Sequence, residues 1–407
     1  MNAELQKKLE AYGQTHLLKY YDELSIEQQK AFVEQLSSID FSLLDLCKKG
    51  SNHEKCGNYE PIDVLKLEEI ETHKEHFFNI GIEAIKNCKV GAVLLAGGQG
   101  TRLGFDKPKG MLNVGMTKDL YLFEILVRNI LDVVKQADAW IPLVIMTSQK
   151  NHNDTVSFFE EHNYFGYDKE YVDFFVQEMV PSVDYNGKIY LEAKDKISMS
   201  PNGNGGWFKS LQNSGLTTKL KELGVEWLNV FSVDNVLQRI ADPYFVGATI
   251  DSGYLCGAKV IKKAAPDEKV GVICKEDGKP SIVEYYELTE EMMNTKDASG
   301  EPAYNFGVTL NYLFQLDSLE KNADANIPVH IVEKKIPYID ETGTLQNPTS
   351  PNGYKFETLV LDMIHMYDDV LIYEIVRNYE FAPIKNKTGV DSLDTARELL
   401  KLNHVVL

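Results

Sequence analysis

One segment restricts the possible fold of this chain more than any other: a continuous apolar run at residues 90–96 that leads directly into a glycine-rich stretch at 97–104. A short run without polar alternation is typical of a strand buried on both faces of a sheet. Glycines directly after such a strand let the backbone turn tightly and present N–H groups to an anion. The segment therefore predicts a parallel sheet with a ligand-binding loop at the end of its first strand.

Apolar runs and helical periodicities continue to alternate along the chain. The further predicted strands are at 141–146, 172–176 and 227–233, and the predicted helices are at 123–134, 151–162 and 207–223. This alternation indicates an α/β fold with a Rossmann-like, mixed but mainly parallel sheet between helices. Ligands of such sheets bind at the carboxyl ends of the strands, so functional side chains are expected there.

The pattern divides the chain into three regions. Residues 1–85 are polar and helical in periodicity, with an S-x-x-Q capping box beginning at Ser25, and predict an N-terminal helical extension. Residues 86–390 carry the α/β pattern, and the closely spaced runs around 245–340 predict a mixed-sheet part within it. Residues 391–407 are expected to form a C-terminal tail.

The charge balance limits the partners of the protein. The chain has 42 Lys and Arg against 61 Asp and Glu, which gives a net charge of −19. Such a field repels nucleic-acid backbones and anionic membrane surfaces, so neither is an expected partner. A small phosphorylated ligand is still compatible, because a few basic side chains can form a local positive site.

The five cysteines and the absence of long apolar segments indicate the compartment. The cysteines are odd in number and lack C-x-x-C spacing, so neither a disulfide framework nor a zinc site is predicted. The amino terminus is polar, and no stretch approaches the roughly 18 apolar residues of a membrane span. We therefore expect a cytoplasmic protein.

Two basic side chains lie beside the glycine-rich stretch: Arg102 within it, and Lys109 shortly after it. Backbone N–H groups together with fixed positive charge suit a polyphosphate. Neither of two familiar phosphate motifs is met, because the glycine after Gly100 comes one residue too late for G-x-G-x-x-G and Lys109 is not followed by Ser or Thr. An ordinary glycine turn with two solvated cations is the alternative interpretation.

A carboxylate follows the predicted strand at 227–233. Asp234 would emerge at the carboxyl end of that strand, where a metal ion bridging phosphates would lie. Mg²⁺ needs only one or two protein carboxylates, because it retains waters and phosphate oxygens. The alternative is an aspartate that caps the following turn.

Several motifs along the chain match one enzyme family in order. They are LLAGGQGTRLG at 94–104 with PKGM at 108–111, IMTS at 145–148, FFVQ at 174–177, MSPNGNGG at 199–206, VDN at 233–235, VGV at 270–272, VEY at 283–285, YNFG at 304–307, KKIPY at 334–338 and PIKN at 383–386. This series resembles the eukaryotic-type UDP-N-acetylglucosamine pyrophosphorylases of the UDP-sugar pyrophosphorylase (UDPGP) family. It covers nearly the whole chain.

The resemblance implies a role for each matching position. The nucleotide would be bound by Leu95, Ala96, Gly97, Gly98, Gln177 and Gly203, the sugar by Asn204, Gly271, Glu284 and Asn305, the phosphates by Arg102, Lys109 and Lys385, and Mg²⁺ by Asp234. It also implies that the fold is of the nucleotide-sugar nucleotidyltransferase type. The family's C-terminal β domain would be largely absent.

The resemblance further implies the reaction: UTP and N-acetylglucosamine 1-phosphate would give UDP-N-acetylglucosamine and pyrophosphate. UDP-glucose or UDP-N-acetylgalactosamine synthesis is the alternative, since Asn305 to Val308 read NFGV where the family has NAGN. A nucleotide-sugar sensor without turnover is a rival of another class, and the retention of four phosphate-side residues argues against it. The oligomeric state is open, with a monomer favoured.

Overall fold

The structure is a computed structural model that describes residues 3–49, 57–323 and 327–407. These residues form two compact units. The first unit takes its described residues from 1–56, 178–206 and 327–359, and the second takes them from 57–177, 207–326 and 360–407. Each unit is therefore assembled from segments that are distant in sequence.

The helices and strands follow in chain order. The α-helices are α1 Ala3–Ala11, α2 Ile26–Ser37, α3 Leu44–Lys49, α4 Leu67–Thr72, α5 Lys74–Lys86, α6 Leu122–Ala137, α7 His152–Glu161, α8 Trp207–Asn213, α9 Leu216–Glu222, α10 Pro243–Asp251, α11 Glu290–Asn294, α12 Leu316–Lys321, α13 Arg377–Glu380 and α14 Leu393–Leu402. The strands are β1 Tyr59–Glu60, β2 Val90–Leu95, β3 Leu143–Thr147, β4 Val172–Val176, β5 Met179–Pro181, β6 Val183–Asp184, β7 Leu191–Ala193, β8 Lys196–Ile197, β9 Met199–Pro201, β10 Trp227–Ser232, β11 Cys256–Lys262, β12 Val272–Glu276, β13 Lys279–Val283, β14 Phe306–Gln315, β15 Val329–Lys334, β16 Tyr338–Ile339, β17 Leu345–Gln346, β18 Gly353–Thr358 and β19 Leu371–Ile375.

The second unit is built on one large mixed sheet. Along its main path the strand order is β1-β12-β14-β10-β2-β3-β4, and β10, β2, β3 and β4 are parallel neighbours. The long strand β14 runs antiparallel to β10 and β11, and β11 is parallel to β19. The predicted Rossmann-like mixed sheet is confirmed. Its parallel part carries the glycine-rich loop at the end of β2.

Burial explains why these segments form these elements. All six residues of β2 are buried, as are all five of β3, which fits strands covered on both faces. Helix α6 buries one apolar face that includes Phe123, Ile130 and Val134. Helices α5 and α10 approach so closely that a Cβ on Gly81 or Gly247 would overlap a backbone carbonyl of the facing helix.

The first unit has its own apolar core. Side chains of α1 and α2, such as Leu9 and Phe32, are fully buried together with Val183 and Phe356. The strand order of its main sheet is β15-β18-β6, with antiparallel pairing. The predicted capping box at Ser25 is present, because its hydroxyl accepts from the Gln28 N–H and the Gln28 side chain accepts from the Ser25 N–H.

The structure differs from the sequence-based expectations in two respects. The helix predicted at 207–223 is divided into α8 and α9, because Gly215 adopts φ +81°, in the left-handed region. The two units also do not follow the ranges 1–85, 86–390 and 391–407. Periodicity describes neighbouring residues, whereas the first unit gathers 178–206 and 327–359 around the N-terminal helices.

Among the described residues, no helix combines the length and apolarity needed to cross a membrane.

Candidate functional site

A buried asparagine holds the glycine-rich loop after β2 through side-chain hydrogen bonds. The Asn151 Nδ2 donates to the carbonyl of Ala96 at 2.9 Å and to that of Gly98 at 3.5 Å. Its Oδ1 accepts from the Ser148 N–H at 2.7 Å, and the residue has no exposed surface. Satisfied buried polar groups hold a single conformation, so the first turn of the loop is preorganised.

Gln177 follows β4, and its side chain lies against the same loop. Its backbone N–H donates to the Thr147 carbonyl at 2.8 Å, which places it at the carboxyl ends of the neighbouring strands β3 and β4. The residue is buried, and a Cβ on Gly97 would overlap its amide oxygen. Glycine at 97 therefore permits contact between the loop backbone and an amide that offers a donor and an acceptor.

Lys109 and Asp234 are 125 residues apart in sequence and form an ion pair. The distance between Lys109 Nζ and Asp234 Oδ1 is 2.5 Å, and the exposed fractions of the two side chains are 11% and 34%. The loop returns the lysine to this position, because the Lys109 N–H donates to the Gly98 carbonyl at 3.2 Å. The pairing brings together one residue predicted to bind phosphate and the residue predicted to bind metal.

Lys385 lies on a segment that pairs with the Asp234 turn. The Ile384 N–H donates to the Asp234 carbonyl at 3.0 Å, and Asn235 and Pro383 form an antiparallel bridge. The Lys385 ammonium is half-exposed and lies 3.9 Å from an Asp391 carboxylate oxygen. Burial raises the pKa of Asp391, and the positive charge of Lys385 opposes that shift. Both lysines are thus close in the fold to the turn after β10.

Arg102 occupies a different position at the loop. It lies on the 3-10 turn Thr101–Leu103 and is exposed. Its guanidinium forms no ion pair with another residue of the described ranges, in contrast to Lys109. An exposed guanidinium at this point of the loop is available to an incoming phosphate.

Three of the predicted sugar-binding residues lie at the antiparallel side of the large sheet. A Cβ built on Gly271 would lie 3.7 Å from Glu284 Oε2, so this carboxylate is adjacent to the glycine. The Gly271 carbonyl accepts from the Val308 N–H at 2.9 Å, which ties it to the strand that follows Asn305. Asn305 itself is buried. Pairing of β12 with β13 therefore places Gly271 beside Glu284, and Asn305 lies directly before β14 in the same sheet.

Gly203 and Asn204, the other two predicted ligand residues, belong to the first unit. Gly203 adopts φ +85°, and a Cβ there would overlap the backbone of Thr358. The Thr358 N–H also donates to the Asn202 carbonyl at 2.7 Å, so this loop is fastened to the end of β18. Asn204 begins a short 3-10 turn that leads into α8.

Sequence reasoning missed Asn151 as a residue that shapes the site. A weak signal was available, because Asn151 follows the predicted strand at 141–146 at its carboxyl end. Its role depends on contacts with Ala96 and Gly98, which lie more than 50 residues earlier, and local pattern contains no information about those contacts.

The second unit offers a preorganised loop with an amide beside it, an ammonium paired with one carboxylate, and two further cations, one on the loop and one on the segment that pairs with the Asp234 turn. Such an arrangement can bind a nucleoside triphosphate and offset negative charge on its phosphates. Among the described residues, no cluster of three or more His, Cys, Asp or Glu could hold a metal unaided. A metal at Asp234 would therefore need oxygen ligands from a bound phosphate, which is the usual case for Mg²⁺.

Comparison with known proteins agrees with the motif resemblance. Residues 48–406 match the family model UDPGP, described as UTP–glucose-1-phosphate uridylyltransferase. The chain is 35% identical to mouse UDP-N-acetylhexosamine pyrophosphorylase-like protein 1, over 98% of this chain and 84% of that protein. It is 34% identical to the UDP-N-acetylglucosamine pyrophosphorylase of Saccharomyces cerevisiae, over 95% of this chain and 86% of that protein.

A solved structure shares the fold. The uridine diphosphate N-acetylglucosamine pyrophosphorylase of Trypanosoma brucei, in complex with an inhibitor, is 28% identical with a TM-score of 0.83. The similarity covers 99% of this chain and 85% of that chain. The resemblance drawn from the motifs is confirmed, and the chain belongs to the UDPGP family of uridylyltransferases.

Proposed function

We propose that this protein transfers a uridylyl group from UTP to N-acetylglucosamine 1-phosphate, giving UDP-N-acetylglucosamine and pyrophosphate. The observation that carries the proposal is the Lys109–Asp234 pair at 2.5 Å, between the glycine-rich loop and the end of β10. It brings together Lys109, which the family motifs assign to the phosphates, and Asp234, which they assign to Mg²⁺. The names of the yeast and trypanosomal relatives support the same activity.

The chemistry needs no general base or covalent nucleophile. The phosphate oxygen of the sugar phosphate is already ionised and attacks the α-phosphorus of UTP in line, while pyrophosphate leaves. Catalysis then rests on positioning and on charge stabilisation. Arg102, Lys109 and Lys385 bind phosphate oxygens, and the backbone N–H groups of the loop hold the triphosphate. Gln177 offers its amide to the imide edge of uracil.

Asp234 fits a role as a Mg²⁺ ligand. Its side chain is one-third exposed at a strand end, and only one of its carboxylate oxygens receives the Lys109 ammonium. Asp234 would hold Mg²⁺ through its carboxylate, and the bound ion would supply positive charge that offsets the charge of the phosphates. The described residues provide a single carboxylate with the Lys109 ammonium beside it. This matches an ion that takes most of its ligands from water and substrate.

The identity of the sugar depends on the residues that are predicted to bind the hexose. Gly271, Glu284 and Asn305 would bind the hexose. The family's second asparagine is replaced by Val308, whose methyl carbon lies 3.6 Å from the Cβ position of Gly271. UDP-glucose synthesis is therefore the second candidate, because one amide is missing near the position where an acetamido sugar would bind.

One assay separates these activities. Pyrophosphate release is measured with UTP and Mg²⁺ and either N-acetylglucosamine 1-phosphate, N-acetylgalactosamine 1-phosphate or glucose 1-phosphate. We expect the highest kcat/KM with N-acetylglucosamine 1-phosphate. Higher kcat/KM with glucose 1-phosphate would support the second candidate, and release with none of the sugars would contradict the enzyme function. Replacing Mg²⁺ by EDTA is expected to abolish release, and activity without the ion would refute its role.

We also propose that the protein acts in the cytoplasm as a monomer. The cytoplasmic assignment rests on the five scattered cysteines, which lack C-x-x-C spacing. Fractionation of cells that express the protein tests the location. Sedimentation velocity tests the oligomeric state, and a dimer at micromolar concentration would contradict the proposed monomer.

A further inference from the structure

Asn235, the residue after Asp234, joins two backbone segments through its side chain. Its Nδ2 donates to the Glu380 carbonyl at 2.7 Å, and its Oδ1 accepts from the Ala382 N–H at 2.8 Å and from the Leu237 N–H at 3.3 Å. The residue is almost completely buried. Every polar atom of this amide is thus engaged in holding the turn after β10 against the segment that leads to Lys385.

Backbone hydrogen bonds also join the turn after β10 to the segment that leads to Lys385. The Ile384 N–H donates to the Asp234 carbonyl at 3.0 Å, and the Val236 N–H donates to the Ala382 carbonyl at 3.3 Å. Lys385 is the next residue after Ile384. The position of its Cα relative to the Asp234 carboxylate is therefore set by a short bridge with the Asn235 amide at its centre.

The far side of this bridge is anchored in the protein interior. Glu380 supplies the carbonyl that Asn235 binds, and its carboxylate accepts from the Lys259 ammonium at 2.6 Å. Lys259 also donates to Asp242 at 2.9 Å, and all three side chains are buried. Movement of Glu380 would break a buried ion-pair network, which is costly. The segment before Lys385 is therefore held rigidly at one end.

We propose that Asn235 is a positioning residue that fixes Lys385 relative to the Lys109–Asp234 pair. The inference rests on the proposed function, in which these three groups surround the phosphates. A side chain in this place needs both a donor and an acceptor, so alanine cannot replace it. Without the amide, the Glu380 carbonyl and the Ala382 N–H lose their partners, and the segment can shift away from the turn.

The expected effect lies in turnover more than in nucleotide binding. A displacement of catalytic groups of about 1 Å can lower the rate roughly 100-fold. We therefore expect Asn235→Ala to lower kcat by roughly 10- to 100-fold. The KM for UTP should change by less than about threefold, because the glycine-rich loop and Gln177 are untouched.

A matched control separates positioning from general destabilisation. Asn352, in the first unit, also bridges backbone groups, because it accepts from the Ile336 N–H at 2.7 Å and donates to the Ile336 carbonyl at 3.0 Å. Asn352→Ala should lower the melting temperature comparably while kcat stays within about twofold of the wild type. An equal fall of kcat in both variants would overturn the proposal.

The decisive measurement is a double-mutant cycle with Lys385→Ala. If Asn235 acts through Lys385, Asn235→Ala should cost little further kcat in the Lys385→Ala background, so the two effects are not additive. Full additivity, or a folded Asn235→Ala protein with wild-type kcat, would overturn the inference. Wild-type protein that releases no pyrophosphate would instead refute the proposed function, so the two failures are distinguishable.

Discussion

Replacing Lys109 by methionine is the sharpest test of how the site works. The change keeps the length and most of the volume of the side chain but removes its ammonium, which lies 2.5 Å from Asp234 Oδ1. The side chain is only 11% exposed, so water cannot readily substitute for the lost charge. We expect turnover to fall steeply while the protein stays folded.

The size of the expected fall in kcat can be worked out from the attraction between two unit charges. Two unit charges about 4 Å apart interact by about 4 kcal/mol at an effective dielectric constant of 20. Removing one preorganised group that faces transition-state charge typically lowers kcat by about 10²–10³-fold, or about 2.7–4 kcal/mol. We expect Lys109→Met to fall in that range. The KM for the sugar phosphate should change by less than about threefold, because that sugar is bound elsewhere.

Steady-state pyrophosphate release, measured with each substrate varied in turn, gives both constants. Lys89→Met is a suitable control, because Lys89 forms an ion pair with Glu226 at 3.0 Å in the same unit, with both side chains about half-exposed. That variant should retain wild-type kcat, since exposed pairs contribute little. An unchanged kcat for Lys109→Met, or a higher KM alone, would refute the reasoning.

Three further predictions concern the loop and the core. Asn151→Ala leaves the Ala96 carbonyl without its buried donor, so the KM for UTP should rise by about 5- to 150-fold, which corresponds to a cost of about 1–3 kcal/mol. Gly247→Ala forces α10 away from α5 and should lower the unfolding free energy by about 1–3 kcal/mol in urea titrations. Lys259→Met leaves Asp242 and Glu380 as unpaired buried carboxylates, and should cost about 3–5 kcal/mol in the same titrations.

Each of these predictions can fail in its own way. A wild-type KM for UTP in Asn151→Ala would show that the loop holds its shape without the amide. An unchanged urea midpoint in Gly247→Ala would show that the helices can adjust to a methyl group. A loss below about 1 kcal/mol in Lys259→Met would show that the two carboxylates take up protons or water at little cost.

Local features of the site were predictable from the sequence. The apolar run at 90–96 and the glycines after it predict β2 and its loop, because burial and backbone freedom are encoded in adjacent residues. Asp234 was predictable in the same way, as a carboxylate at the end of an apolar run. The pattern at 207–223 was misleading, because Gly215 interrupts an otherwise helical periodicity with a left-handed turn.

Features that depend on distant contacts were not predictable from pattern. Gln177 alone resembles an exposed residue at a strand end, yet it is buried against Gly97. The role of Asn151 depends on carbonyls at 96 and 98, and that of Asn235 depends on the segment at 380–384. Which chain segments form each unit is likewise determined by strand pairings such as that of β18 with β6, whose residues are about 170 apart in sequence.

In the proposed function, this chain makes UDP-N-acetylglucosamine by attack on the α-phosphorus of UTP. This function is tested most directly by incubating the protein with Mg²⁺, N-acetylglucosamine 1-phosphate and UTP labelled at the α-phosphate, and then separating the products. We expect the label to appear in UDP-N-acetylglucosamine and unlabelled pyrophosphate to be released in equal amount. Label that stays in UTP, or that is transferred only when glucose 1-phosphate is supplied, would contradict it.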